Sequence, residues 1–229
     1  MTSRKSALLS SVSALRSAIP ALAAAFALQA AAGGIGFWGG SMDTETFGKG
    51  FAAGAQVEVG TVPWVSLLLR GGYAGGFDDV TLRDAGFTAG ANARKILQRV
   101  GADSAAAEME DFGLVPLEAG LVLRPTALFG VIGVYAGAGA GYYYLPGFDI
   151  VDRGAKISTD EASDLFGWWA LAGADIGISF FHVFAEAKYT SAKNDDETFD
   201  IDWHGAAGAV RGDIDLTGLT VLGGIRFEW

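Results

Sequence analysis

The sequence predicts an all-β protein, an eight-stranded antiparallel up-and-down transmembrane β-barrel. Three observations carry that reading. Apolar residues recur at every second position in one segment after another, leaving one nearly pure apolar face and one face of glycine, small polar residues and sparse charge. The connections between these segments alternate short and long. Glycine supplies 34 of 229 residues, twice the usual share of about 7%. The chain is 51% hydrophobic and has no cysteine, which excludes a disordered chain, a disulfide scaffold, a cysteine nucleophile and a Cys-ligated metal. Its formal net charge of −10 argues against nucleic acid as a partner.

The first segment reads as an address. Arg4, Lys5 and Arg16 precede an uncharged alanine-rich stretch from Ser17 to Ala32 that contains Ile19, Leu22, Phe26 and Leu28. A basic region, a short apolar run and small residues at its end make a secretory signal peptide over 1–32, cleaved after Ala30 or Ala32. The run is too short and too diluted by alanine to span a bilayer comfortably. Removing its three basic residues takes the charge to −13. The domain that remains, 33–229, is exported and strongly acidic.

In 33–229 the period of two is sharpest at the end. Leu219, Val221, Ile225, Phe227 and Trp229 share one parity, and Thr220, Gly224, Arg226 and Glu228 the other; period two puts these sets on opposite faces of a strand. The same split separates Phe51, Val57 and Val59 from Gln56 and Glu58. It separates Val65, Leu67 and Leu69 from Ser66 and Arg70, and Leu117, Leu121 and Leu123 from Glu118 and Arg124. It sets Ile176 and Ile178 against Gly173 and Asp175, and Val183 and Tyr189 against Glu186 and Lys188. With the less regular Gly34–Ser41 and the Gly/Ala/Tyr run Phe129–Tyr144, eight strands are expected at 34–42, 50–60, 64–76, 112–125, 129–145, 165–179, 182–193 and 214–229.

The tight connections fall at Gly60–Pro63, Pro125–Leu128 and Phe180–Phe181, and the long ones at 43–49, 77–111, 146–164 and 194–213. Short turns at one end and long loops at the other are the arrangement of a transmembrane barrel. The four long connections hold 20 acids against 8 bases, so nearly all of the negative charge sits at one end. Aromatics mark both rims. Trp64, Phe129, Phe180, Phe227 and Trp229 lie toward the short turns, and Tyr73, Tyr142, Tyr144, Phe166, Trp168 and Tyr189 toward the long loops, as in two interfacial girdles.

Two other architectures compete. A soluble eight-stranded barrel such as a lipocalin points its apolar face inward and carries many Lys, Glu and Thr on its wet face; here the second face is mostly glycine. A transmembrane helix over the uncharged stretch 125–148, with Gly133, Gly137 and Gly141 as small-residue spacings, is opposed by Tyr142–Tyr144 crowding one end. In lipid every backbone polar group must pair within the protein, so a sheet there closes on itself.

The chain resembles the small eight-stranded outer-membrane proteins, the group of the OmpA transmembrane domain, OmpX and OmpW. The resemblance covers 33–229 and is most specific at the end, where Leu219, Val221, Ile225 and Phe227 alternate into a terminal aromatic, Trp229. It implies a cell outer-membrane location in a Gram-negative-type envelope. It implies contact with outer-membrane lipid and lipopolysaccharide, and an assembly signal at Ile225, Phe227 and Trp229 read by the barrel-insertion machinery. Trp229 departs from the more usual terminal Phe.

The inner faces carry five acids and four bases: Glu58, Arg70, Glu118, Arg124, Asp175, Glu186, Lys188, Arg226 and Glu228. An eight-stranded barrel has room only for its own side chains, and a lone buried charge is costly, so these groups are expected to pair as an ion network filling a closed lumen. A narrow porin-like path for ions or small solutes is the alternative, with the inner glycines of the fifth strand leaving space for a partial cavity. The expected role is structural or interaction-related at the cell surface, with a surface ligand left open. No enzyme activity, cofactor or metal is expected. A loop-side enzyme would rest on Asp202 and His204, which lack a nucleophile motif, while His182, at a tight turn, reads as a surface residue. Asn194–Glu197 offers oxygen ligands for Ca²⁺ or Mg²⁺ without the spacing of an EF-hand loop. Ala91–Val100 reads as a short helix on the rim or as an extension of the third and fourth strands, and its connection suggests partner binding or adhesion.

Overall fold

A computed structural model describes residues 33–229 except 63, 78–79, 82–86, 100–106, 111, 126–130, 147, 153–154, 160–162 and 204–205. The expected signal peptide therefore lies outside the described residues. Along the chain run β1 (Gly33–Thr44), β2 (Gly48–Val62), β3 (Val65–Gly75), β4 (Val80–Thr81), β5 (Thr88–Ala89), the helix α1 (Ala91–Arg99), β6 (Glu108–Glu110), β7 (Val115–Leu123) and β8 (Ile132–Leu145). There follow β9 (Asp149–Asp152), β10 (Ala155–Ser158), β11 (Ser163–Ile178), β12 (Phe181–Trp203), β13 (Ala206–Asp215) and β14 (Gly218–Glu228).

Eight of these strands close a barrel in the order β1-β2-β3-β7-β8-β11-β12-β14, with β14 returning to β1 and every neighbour antiparallel. Gly34 pairs with Glu228 and Thr44 with Gly218 along the closing seam. Closure leaves the wall no open edge. The eight-stranded up-and-down class read from the alternation is the one observed. Within the stretch weighed as a helix, Ile132–Leu145 is strand β8, and among the described residues no helix is long and apolar enough to cross a membrane.

The two faces of the wall have opposite chemistry. Leu117, Leu121, Leu123, Ile176, Val183, Leu219, Val221 and Ile225 are exposed, and Ile178 keeps 77% of its surface open. The inner parity holds the buried charges. This reverses a soluble barrel: an apolar belt on every strand is stable only where hydrocarbon surrounds it. Exposed Trp64, Phe180 and Trp229 rim the short-turn end, and Tyr73, Phe166, Trp168 and Tyr189 the other. Phe129 lies outside the described residues.

At the long-connection end the structure departs from the expected loops. The segment 43–49 is no long loop, because β1 continues its alternation through buried Met42 and Thr44. The turn shrinks to Glu45–Phe47, with Phe47 N–H donating to Thr44 Oγ1 at 3.2 Å and Gly48 at φ 65°. Nor is 194–213 an acidic loop. β12 runs on to Trp203 and returns as β13, so Ile214 belongs to this hairpin and the last wall strand starts at Gly218, not 214. The 77–111 connection supplies α1, β4, β5 and β6, and β4, β6, β9 and β10 form a second sheet.

Together these pieces make a folded cap with an apolar centre. Phe47, Phe87, Phe112, Phe148 and Phe199 are buried there with Ile96, Leu97, Ile150, Ile157 and Val210. Phe47 stacks on Phe112 at 3.6 Å between ring centroids, and Phe148 meets Phe199 edge-on at 5.0 Å. The same cluster continues into the barrel mouth through Met42, Tyr143, Leu145, Leu165 and Trp38.

Candidate functional site

The lumen is built by the inward parity of the eight wall strands, and Glu58, Arg70, Glu118, Arg124, Asp175, Glu186, Lys188, Arg226 and Glu228 form ion pairs along it, Glu228 at its mouth. At the short-turn end Arg124, just beyond β7, grips Glu58 of β2 with two hydrogen bonds, Nε to Oε1 at 2.7 Å and Nη2 to Oε2 at 2.8 Å. Its Nη1 donates to Asp175 of β11 at 2.6 Å. Arg226 of β14 donates to the same Asp175 oxygen at 2.8 Å and to Glu228 at 2.7 Å. Asp175 is thus shared by two guanidiniums, and these five charges form one cluster. Such bidentate, charge-assisted bonds are the strong class.

Deeper in, Arg70 of β3 donates to both oxygens of Glu186 of β12, at 2.7 and 3.0 Å, and to Gln56 of β2 at 2.6 and 3.1 Å. Tyr135 of β8 donates its hydroxyl to Glu186 at 3.0 Å. Its ring lies 4.1 Å beneath the Arg124 guanidinium, which ties this group to the first. Closest to the cap, Lys188 donates to Glu118 at 2.5 Å, and Tyr143 donates to the same carboxylate oxygen at 3.1 Å.

Three participants were not singled out by charge. Gln56, Tyr135 and Tyr143 all lie on the inward parity, and that parity was the signal available for them. His182 is corrected: it is no simple surface residue. It is half-buried at the short-turn mouth, with Nε2 3.2 Å from Glu228 and Nδ1 3.6 Å from Asp175. Its even number, shared with Phe184, Glu186 and Lys188, places it inside; nearness to the turn obscured that.

Several of the inner glycines are sockets for rings. A methyl group on Gly54 or Gly72 meets the Trp38 indole at 2.6 or 2.8 Å, and one on Gly139 meets Trp169 at 2.6 Å. These distances are below any ordinary carbon contact, so the rings occupy the space the glycines vacate. A cavity of about 220 Å³ remains at the short-turn mouth, lined by Glu58, Arg124, Arg226, Glu228 and Trp229.

The loop-side candidates fare differently. His204 lies outside the described residues, so the structure does not place it beside Asp202. In Asn194–Glu197 the Asn194 amide donates to Glu197 across a bulge in the β12–β13 ladder. Among the described residues no three acidic or histidine side chains are gathered as metal ligands. Just above the wall Lys193 donates to Asp215 at 2.5 Å. Partial burial pushes the Asp215 carboxyl up, but the bonds from Lys193 and Thr217 outweigh it and hold it below its ordinary value.

Of the segment expected to act as an assembly signal, Ile225 and Trp229 are exposed on the outer face, and Phe227 packs against Phe181 at 5.6 Å.

The sequence matches no family model and no curated relative. Its fold is similar to several solved structures. The outer membrane protein OprG of Pseudomonas aeruginosa superposes with a TM-score of 0.55 at 12% identity, covering 86% of this chain and 93% of that one. A major outer membrane protein of Thermus thermophilus gives 0.54 at 10%, covering 86% and 99%. Neisserial surface protein A gives 0.51 at 10%, covering 86% and 96%. The chain has the fold of the small eight-stranded outer-membrane β-barrels.

Proposed function

We propose that this protein is an integral outer-membrane barrel with a closed lumen, whose role lies in the cap it holds at the cell surface. The observation that carries the reading is the filling of the barrel from both ends. Ion pairs occupy its short-turn half, and the aromatic core of the cap runs into the other. A passage for solutes would require parting buried ion pairs, at several kcal/mol each. Outer-membrane lipid and lipopolysaccharide are the expected surroundings of the apolar belt. Ile225, Phe227 and Trp229 are the expected mark for the barrel-insertion machinery. The reading assigns the chain no catalytic step.

Planar-bilayer recording tests it. The folded full chain is expected to give no discrete conductance steps, and reproducible steps would overturn the closed lumen. The second reading, a small passive pore, is favoured by the near-continuous file of charged groups from the 220 Å³ mouth cavity to Lys188. Under that reading Arg70→Ala, which opens the middle of the file, raises conductance above the wild type. Replacing Phe227 and Trp229 by Ser separates the assembly role from folding. The variant is expected to fold into lipid vesicles unaided but to reach the outer membrane of cells at reduced yield.

A further inference from the structure

The cap contains a second polar site that the closed barrel does not use. A cleft of about 600 Å³ lies between α1 and the β12–β13 hairpin, and its lining includes Thr88, Asn92, Arg94, Asp200, Gly208 and Arg211. Arg94 comes from α1 and Arg211 from β13, and both are exposed. Every lumen arginine is held by carboxylates; among the described residues Arg94 and Arg211 have no such partner. Two guanidiniums lining one cleft without a carboxylate partner among the described residues are unusual in a chain of net charge −10, where acids to neutralise them are plentiful.

The lining defines the chemistry of an occupant. A guanidinium presents a planar fork of donors that matches a carboxylate, phosphate or sulfate. Asp200, the one acid lining the cleft, is an acceptor when ionised and takes a hydroxyl donor. Asn92 and Thr88 both donate and accept. An oxyanion with hydroxyls beside it satisfies all of these groups; a bare polyanion does not, because it meets Asp200 and the acidic field of the cap. We propose that this cleft binds an acidic saccharide, a sugar bearing a carboxylate, phosphate or sulfate group. The proposal rests on the reading of the cap as the surface-presenting part of the molecule and names its ligand class. The cleft stands beyond the end of the wall ladder. Arg211 pairs with Thr198, eight residues along β12 from Thr190, where pairing with the wall strand β14 ends, or about 26 Å along the strand.

The test uses the full chain folded in detergent micelles and follows backbone amide resonances of Ala89 and Gly208 by NMR. Glucuronate and glucose 6-phosphate are expected to shift both, glucose to shift neither, and inorganic phosphate to bind more weakly than glucose 6-phosphate. Arg94→Gln and Arg211→Gln are each expected to weaken binding about 10-fold or more, the scale of a lost charge-assisted bond. Lys95→Gln removes the same charge from the same helix outside the cleft and leaves binding unchanged. Unaltered heat-dependent gel mobility shows that each variant is folded. Equal binding by glucose, undiminished binding by both arginine variants, or no shift with either acidic sugar overturns the proposal. None of these outcomes bears on bilayer conductance, so failure here and failure of the closed lumen are read separately.

Discussion

The wall and the cap are built on opposite plans within one chain. In the wall, apolar side chains face out and the charges Glu58, Arg70, Asp175 and Arg226 are buried. In the cap, phenylalanines are buried and Lys193, Asp195, Asp200 and Asp213 stand outside. β12 passes through both. Along its lower part Val183 and Tyr189 are exposed while Glu186 and Lys188 are buried; farther along, Phe199 is buried and Asp200 exposed. A one-residue bulge between Asn194 and Glu197 shifts the alternation, and beyond it the inward face is apolar where below it carries charge. What fixes which face is apolar is the surrounding solvent, hydrocarbon for one half and water for the other.

The largest expected effect tests whether the buried charges hold the wall. Arg226→Ala takes a guanidinium from both Asp175 and Glu228 and leaves Asp175 to Arg124 alone, and removing one partner of a buried pair costs about 3–5 kcal/mol. Urea unfolding in lipid vesicles is expected to shift to a markedly lower midpoint. The joint change Arg70→Met with Glu186→Leu removes both members of a pair and is expected to cost far less. Equal losses would mean that the pairs stabilise the wall beyond their desolvation cost.

A somewhat smaller effect is expected in the cap. Phe148→Ala empties the space between Phe87, Phe112 and Phe199, a change worth about 3–5 kcal/mol in a well-packed core and less where the surroundings relax. Limited proteolysis is expected to cut the cap of this variant while the wall strands stay protected. Loss of protection in both would show that the two cores unfold as one.

Gly54→Val forces a branched side chain against Trp38, and overpacking of this kind costs about 1–3 kcal/mol. It is expected to lower the urea midpoint without altering cap proteolysis. The smallest effect concerns the Lys193–Asp215 bond at the boundary between the two regions. The Asp215 carboxyl is held below its ordinary value, so its contribution is full above the unfolded value and is lost as pH falls through the folded one. Amide protection at the base of the hairpin, referred to the intrinsic exchange rate at each pH, is expected to fall slightly below about pH 4 and to be constant between pH 5 and 7.

The wall was legible because lipid-facing strands leave an uninterrupted signal. In 219–227 every outward residue but Gly223 is apolar, and no inward one except Leu222 is. The lumen ions were legible for the same reason, since a charge on the inner parity has nowhere else to go. Tyr135 and Tyr143 were missed because charge alone selected the network, and an aromatic on the inner face reads as filler until its hydroxyl is seen on Glu186 or Glu118. The cap was misread because its phenylalanines are scattered singly, Phe47, Phe87, Phe112, Phe148 and Phe199, among acids and glycines. Each one looks like an isolated residue in a solvated loop, and only long-range closure brings them together.

β12 has 23 residues, which makes it about 75 Å of continuous strand. It works as a spar anchored in the bilayer and standing clear of it. Tension applied at its outer tip is carried in shear along the ladders with β11 and β14, the mode in which all their hydrogen bonds resist together. A load at the far end of the hairpin is thus shared by the whole embedded cylinder.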